Sequence, residues 1–414
     1  MIAWLLISFF VLLFLGVPIA MSLGLSAMGG ILFLGGGSTV TIAQRMFEGM
    51  NSFALLAIPL YTFAGFTMSK GGISKRLMDF CYSIVGHIYG GLAHVNVLSS
   101  MIFAGISGSA VADTAGVSGM FMPEMIRKGY SKNFTVAVTA ISSTIGIIIP
   151  PSIPMVVIAG ICGISTGKLF LGGIIPGILC GLAQMIVSYF LAKKEGVPKE
   201  PGHFTIGPVL HGLWESWPAL LMPIIIVGTI TMGIVSPTEA GVIAVVYGLF
   251  AGGIIYRELK WEDIKFAFAE TVRTSGRIFI VIGAAKLYTV MLTTAGFDKW
   301  VAKTMLGFST NPTVILIMIL LIFFIVTMFM ESIATLTLFM PILYPIALGV
   351  GIDPIVLSVL ITVVIGIGLV TPPVGMCIYV ACDLMDTTVG EVFPTLVPFI
   401  AATFVCICLL YTSP

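Results

Sequence analysis

The sequence predicts an all-α polytopic membrane protein in two related halves, and three observations predict it: the composition, the lengths of the charge-free runs, and an internal repeat. Of 414 residues, 58% are apolar and 9% are Asp, Glu, Lys or Arg. A soluble domain is about 45–50% apolar and about 25% charged, so this chain cannot clothe a water-facing globule. Nineteen basic against 18 acidic residues give a formal charge of +1. Binding a nucleic-acid backbone needs a basic excess, and no nucleic-acid partner is expected. Cys81, Cys162, Cys180, Cys377, Cys382, Cys406 and Cys408 lack CxxC pairing and read as small apolar fillers.

In chain order, the first 44 residues carry no charge. A cleavable signal would start with basic residues and have a shorter apolar core, so this stretch is expected to remain in the membrane. Further charge-free runs follow at 49–69, 80–112, 133–167, 169–192, 216–238, 240–256, 278–285, 304–330, 332–352, 354–382 and 392–414. A helical span takes about 20 apolar residues, which sets an expectation of about ten to twelve embedded segments. A β-barrel would alternate apolar and polar side chains, whereas these runs are continuous in Leu, Ile, Val and Phe.

Two runs have the wrong length for a simple span. The run 133–167 carries Ile149-Pro150-Pro151-Ser152-Ile153-Pro154 at its middle, and 354–382 carries Thr371-Pro372-Pro373 among Gly366, Gly368 and Gly375. Adjacent prolines remove helical N–H donors and clash with the preceding turn, so each helix must break. Within a membrane a break is tolerated only where the backbone is buried in protein or lines a cavity.

The two breaks belong to a repeat. Asp113-Thr114 and Phe121-Met122-Pro123 match Glu331-Ser332 and Phe339-Met340-Pro341 at an offset of 218. Gly129, Gly146, Pro150 and Pro151 match Gly351, Gly368, Pro372 and Pro373 at 222, and Gly72 and Lys75 match Gly296 and Lys299 at 224. Repeated halves with interrupted apolar segments at matching places mark a secondary transporter, whose site lies between the repeats near the midplane. The stretch Lys193–Gly212, with Lys194, Pro198, Lys199, Pro201 and two His, reads as the linker. The charged stretch Glu258–Arg277 carries apolar residues three and four apart and is expected to form a helical arm in the membrane interface.

Candidate chemistry gathers at matching places. Gly105-Ile106-Ser107-Gly108-Ser109-Ala110-Val111-Ala112-Asp113-Thr114 joins small residues, which allow close helix packing, to hydroxyls and an acid of the kind a hard cation prefers. Glu331-Ser332, with Thr335 and Thr337, is its counterpart. An ionisable group inside an apolar segment costs at least about 2.5 kcal/mol, so Asp113 and Glu331 are read either as cation ligands or as caps of helix N-termini. Glu239, in Ser236-Pro237-Thr238-Glu239, fits a cap. His87, His94, His203 and His211 show no ligand spacing, and no transition metal or cofactor is expected. Ser107 with His87 or His94 as base leaves an intramembrane serine protease as an alternative, and a passive channel is another.

The motifs Gly105–Thr114, Ile149–Ser152, Gly233-Ile234-Val235-Ser236-Pro237-Thr238-Glu239-Ala240 and Val370–Gly375, in that order over essentially the whole chain, resemble the large membrane subunit of tripartite ATP-independent periplasmic (TRAP) transporters, the DctM-like family. The resemblance implies an elevator-type ion-transporter fold of two inverted repeats with re-entrant hairpins and unwound helices. The first repeat would span 1–200, with a hairpin at about 95–125 and a broken helix at about 133–167. The second would span 201–414, with the arm at about 258–277, a hairpin at about 320–348 and a broken helix at about 354–382. It implies sodium-coupled import of a carboxylate, a C4-dicarboxylate or sialic acid, across a bacterial or archaeal inner membrane; proton coupling within the same superfamily is the alternative. The implied partners are a separate small four-helix membrane subunit and a periplasmic substrate-binding protein.

Carried over by position, the sodium-binding expectation falls on Ser107, Ser109, Asp113, Thr144, Glu331, Ser332, Gly366, Thr371 and Pro372. The substrate expectation falls on Pro150, Pro151, Ser152, Thr335 and Pro373. The family commonly has Asp-Thr or Asp-Ser where this chain has Glu331-Ser332; the longer acid keeps the charge and shifts the carboxylate by a methylene. The sequence holds no Walker-type phosphate loop, so an ion gradient is the energy source in view. The chain is expected to be a transporter and not an enzyme.

Overall fold

The computed structural model describes residues 1–34, 39–197 and 205–412, and the described residues hold helices and no strands. The linker residues Pro198, Lys199, Pro201 and His203 lie outside the described residues. The first half contains α1 (Ile2–Phe14), α2 (Ile19–Leu34), α3 (Thr39–Met50), α4 (Ala57–Lys70), α5 (Ile73–Val85), α6 (Gly91–Ser107), α7 (Ala110–Arg127), α8 (Lys132–Ser143), α9 (Ile153–Cys162) and α10 (Thr166–Glu195). The second contains α11 (Ile206–Thr231), α12 (Pro237–Phe250), α13 (Trp261–Thr294), α14 (Phe297–Phe308), α15 (Pro312–Thr327), α16 (Ser332–Gly349), α17 (Pro354–Gly368), α18 (Met376–Asp383) and α19 (Val389–Thr412).

The repeat is visible in the backbone. Gly72 (φ +77°) opens α5 and Gly296 (φ +81°) opens α14; Gly129 (φ +87°) follows α7 and Gly351 (φ +84°) follows α16. All four adopt a left-handed conformation that a Cβ disfavours, which is why glycine recurs at these matched turns. The pair α3–α4 corresponds to α13, and the two run side by side in opposite directions. Gly49 lies on the stem of Lys286, while the rings of Phe63 and Phe268 are 6.4 Å apart and those of Phe66 and Phe266 6.5 Å. Corresponding segments that pair antiparallel are what an inverted repeat requires.

Among the described residues, six helices are long and apolar enough to cross a membrane, and the pair Val40–Met50 and Ala54–Lys70, bent by 64°, is a seventh candidate. Six shorter apolar helices, Ile2–Phe14, Ile19–Phe33, Gly91–Ser107, Ile153–Cys162, Pro312–Thr327 and Pro354–Gly368, account for the difference from the sequence count. The last four are hairpin arms and halves of broken helices, which need not span. The charged arm differs from expectation. It is no separate interfacial helix but the first half of the 34-residue α13, which runs unbroken to Thr294. The sequence from Glu258 to Thr294 has no proline, so nothing stops the helix from propagating into its apolar half.

Glu239 is settled as a cap. Its carboxylate accepts from the Ser236 amide at 2.6 Å, and the Ser236 hydroxyl accepts from the Glu239 amide at 3.3 Å. This reciprocal box satisfies two amides that the first turn of α12 leaves unpaired. Ser236→Ala is therefore expected to lower unfolding stability by about 1 kcal/mol, read by thermal denaturation, without changing any response to added salt cations.

Candidate functional site

Each hairpin tip docks onto the proline break of its own half. In the first half α6 ends at Ser107, Gly108 turns left-handed (φ +65°), and Ser109 caps α7 by accepting from the Ala112 amide. The Gly108 carbonyl accepts from the Ile153 amide, just past Pro150-Pro151, at 3.2 Å. In the second half the Met328 carbonyl at the tip between α15 and α16 accepts from the Val374 and Gly375 amides, just past Pro372-Pro373, at 3.0 and 3.3 Å. Both Pro–Pro peptide bonds are cis. The breaks free matching carbonyls, because the amides that would bond Gly146 and Ile147 in a helix belong to Pro150 and Pro151, and prolines have none. The Ile147 carbonyl takes the Ser152 hydroxyl at 2.6 Å instead, and its counterpart Leu369 takes the Cys377 amide at 2.9 Å.

The halves then interlock. The segment after each break packs on the hairpin of the other half: α9 on α16, and α18 on α7. Gly366 lies against Thr144, so the two broken helices touch. The structure thus brings Ser107 to Asp113, whose carboxylate lies on Gly146, sets Gly108 on the Pro151 carbonyl, and sets Thr144 against Gly366. Glu331, Ser332 and Thr335 stand together at the start of α16, and the second break meets its hairpin tip at Met328.

The two acids do different work. Glu331 is the N-cap of α16, its carboxylate accepting from the Ile333 amide at 3.0 Å, the Ala334 amide at 3.4 Å and the Ser332 hydroxyl at 2.7 Å. Asp113 lies at the end of the first turn of α7, 4% exposed, with one oxygen accepting from the Ser107 hydroxyl. Its other oxygen is buried against Gly146 and has no hydrogen-bond partner. Among the described residues no Lys or Arg pairs with either acid. A buried carboxylate oxygen without a partner calls for a proton or a cation.

Three candidate hydroxyls have their protons committed to the backbone. Thr144, Thr335 and Thr371 donate their protons to the backbone carbonyls of Ile141, Glu331 and Ile367 at 2.7, 3.1 and 2.7 Å. Their oxygens are left presenting lone pairs, as carbonyls do. Sequence reasoning used Gly146 for register and missed that it makes room for the Asp113 carboxylate; its match to Gly368, which meets Thr327 in the same way, was the available signal. The protease alternative fails on distance. Ser107 ends α6, while His94 lies near its start, about 20 Å away along the axis, and His87 lies in the turn before that start; Ser107 is bonded to Asp113 instead.

The family model for "Tripartite ATP-independent periplasmic transporter, DctM component" matches residues 6–414. The chain belongs to the DctM family. DctM proteins are transporter components and not enzymes. Relatives include the isethionate TRAP transporter permease DctMQ of Oleidesulfovibrio alaskensis, 37% identical over 95% of this chain and 62% of that protein, so the chain spans less than two thirds of that relative. The sialic acid TRAP transporter large permease SiaM of Vibrio cholerae is 36% identical over 94% of this chain and 91% of its own length. The C4-dicarboxylate TRAP large permease DctM of Pseudomonas aeruginosa is 35% identical over 92% of this chain and 88% of its own. Among solved structures, the YdaH transporter of Alcanivorax borkumensis superposes with a TM-score of 0.59 over 89% of this chain and 86% of its own, at 14% identity. That likeness is one of fold alone. The DctM fold here is all-α, polytopic and built of two inverted repeats with hairpins and broken helices.

Proposed function

We propose that this DctM chain is the large subunit of a sodium-coupled importer that carries a carboxylate, of the C4-dicarboxylate or sialic acid type, across the inner membrane of a bacterium or archaeon. The observation that carries the reading is the unpartnered, buried oxygen of Asp113 beside Ser107 and Gly146 of the broken helix. One sodium ion occupies that pocket and a second the matching pocket at Ser332, Thr371 and the second break; the substrate carboxylate lies between them, near Pro150, Ser152, Thr335 and Pro373. The ions supply the positive charge that two acids without basic partners cannot. The names of the relatives support an anionic substrate. A small four-helix membrane subunit holds the frame helices, and a periplasmic binding protein delivers the substrate. The two hairpins and two broken helices move as one body past the frame, in the manner of an elevator.

Each sodium ion moving down about 100 mV releases about 2.3 kcal/mol. Two support about a thousandfold accumulation of a neutral solute at about 1.4 kcal/mol per tenfold, and less for an anion moving against the same field. Substrate and ions must favour the same step, so their affinities are linked reciprocally. The test is uptake of labelled sialic acid or succinate into vesicles holding both membrane subunits, with the binding protein outside. Uptake is expected to follow an inward sodium gradient and to fall about tenfold in Ser107→Ala and in Thr371→Ala, the loss of roughly one ligating interaction. Uptake that persists without sodium, or that follows an imposed proton gradient instead, overturns the reading.

A further inference from the structure

A side-chain amide at membrane depth is costly unless its groups are engaged, and Asn96 on α6 is completely buried. It stands in a directed chain of hydrogen bonds that joins α6 to α8. The Ser100 hydroxyl donates to Ser142 at 3.1 Å, and Ser142 donates to the Asn96 oxygen at 3.1 Å, sharing its proton with the Thr139 carbonyl at 3.2 Å. The Asn96 nitrogen donates to the Thr139 hydroxyl at 2.7 Å and reaches the Met125 sulfur on α7 at 3.9 Å. Thr139 in turn donates to the Thr135 carbonyl at 2.8 Å, so every member has a partner. Thr114 on α7 and Ser143 on α8 add a further bond. Both arms of the first hairpin are thus tied by side chains to the helix that leads into Gly146, on which the Asp113 carboxylate lies.

The second half has no such ladder. Through the offset of 222, Thr139 and Ser142 correspond to Ile361 and Val364, both buried, and α15 is apolar throughout from Val314 to Val326. Among the described residues no side-chain hydrogen bond joins α15 or α16 to α17; their hydroxyls bond carbonyls of their own helices. What covers the second hairpin is α13. Ala334, Leu338 and Ile342 on α16 share a buried cluster with Leu287, Tyr288 and Met291 on α13. The first hairpin lacks an equivalent cover, for α7 packs on α6, α8 and α18 and leaves Ala112, Ala115, Gly116 and Gly119 exposed. We propose that Asn96 is a positioning residue that latches the first hairpin to its own broken helix and keeps Asp113 on Gly146, whereas the second hairpin is held shut by α13 and opens when it leaves that helix. Parting α6 from α8 strands several buried polar groups at once, while parting α15 from α17 exchanges one apolar surface for another. This rests on the carrier reading above, in which α13 belongs to the frame.

The test is amide hydrogen exchange of the purified full chain in choline chloride, read by mass spectrometry over the two hairpins, residues 91–127 and 312–349. Asn96→Leu is expected to speed exchange in 91–127 about tenfold, the effect of two or three net buried bonds, and to leave 312–349 within about twofold of wild type. Asn96→Leu/Thr139→Ile/Ser142→Val turns the ladder into apolar contacts like those of the second half. Removing both sides of each bond is nearly neutral for stability, so this variant is expected to unfold as wild type does and still to exchange as fast in 91–127 as the single variant. Leu338→Ala on α16 is expected to speed 312–349 by about tenfold or more and not 91–127. Wild-type exchange over 91–127 in the triple variant, or equal acceleration of both hairpins in Asn96→Leu, overturns the latch. A second hairpin indifferent to Leu338→Ala overturns the hold assigned to α13. These outcomes need no bound ion. The sodium reading fails separately, if sodium chloride at equal ionic strength slows exchange in neither hairpin of the wild type.

Discussion

Asp113→Asn is expected to raise the unfolding temperature of the chain in sodium-free buffer and to lack the further rise that sodium is expected to produce in wild type. The opposite signs come from one feature. In the absence of a cation the buried Asp113 oxygen has no partner, and either its charge or the proton that neutralises it is a penalty on the folded state. An amide of the same shape removes the penalty while keeping a carbonyl oxygen for the Ser107 hydroxyl. With sodium present the balance reverses, because the negative charge that held the ion is gone. Removing one partner of a buried, hydrogen-bonded charge pair costs about 2–5 kcal/mol, so sodium affinity is expected to fall roughly thirtyfold or more at about 1.4 kcal/mol per tenfold. The check is a sodium titration read by thermal unfolding, with choline chloride at equal ionic strength as the control and uptake in vesicles alongside. An asparagine variant that keeps the sodium response would reduce Asp113 to a first-turn helix acid.

Glu331 is not expected to behave the same way, and the reason shows what the sequence could and could not disclose. Asp113 and Glu331 align at an offset of 218 together with Phe-Met-Pro, so the repeat was legible, as were both breaks, because paired prolines act locally wherever they stand. The place of each acid within its helix was not. In the first hairpin Gly108 turns the chain so tightly that Ser109 already caps α7, leaving Asp113 four residues inside; in the second the link runs from Met328 to Glu331, and Glu331 is itself the cap. One turn of register separates a carboxylate with a spare oxygen from one committed to two amides and a hydroxyl. The arm was misread for a similar reason: charge pattern locates a polar face, but only the absence of a breaker tells that α13 continues.

The second large effect is expected at the matched glycines. A Cβ added at Gly146 would strike the Asp113 carboxylate, and one added at Gly368 would meet the Thr327 Cβ at 2.6 Å and the Phe324 carbonyl at 3.2 Å. Neither broken helix can retreat, since Gly366 already touches Thr144 and each hairpin tip is bonded to its break. Overpacking of this kind typically costs about 1–3 kcal/mol, but at Gly146 the displaced atom is the oxygen assigned to the ion. Gly146→Ala should therefore lose stability and sodium response together, while Gly368→Ala, which presses on a threonine methine and a carbonyl, should lose stability with a smaller change in sodium midpoint. Gly116→Ala and Gly119→Ala, on α7 with nothing within 4 Å of an added Cβ, are the controls. They are expected to match wild type or gain slightly, because alanine is favoured over glycine within a helix by about 1 kcal/mol. Unfolding curves in sodium and in choline measure all four. If Gly146→Ala binds sodium as wild type does, the carboxylate has somewhere else to go and the pocket is not where the ion is held.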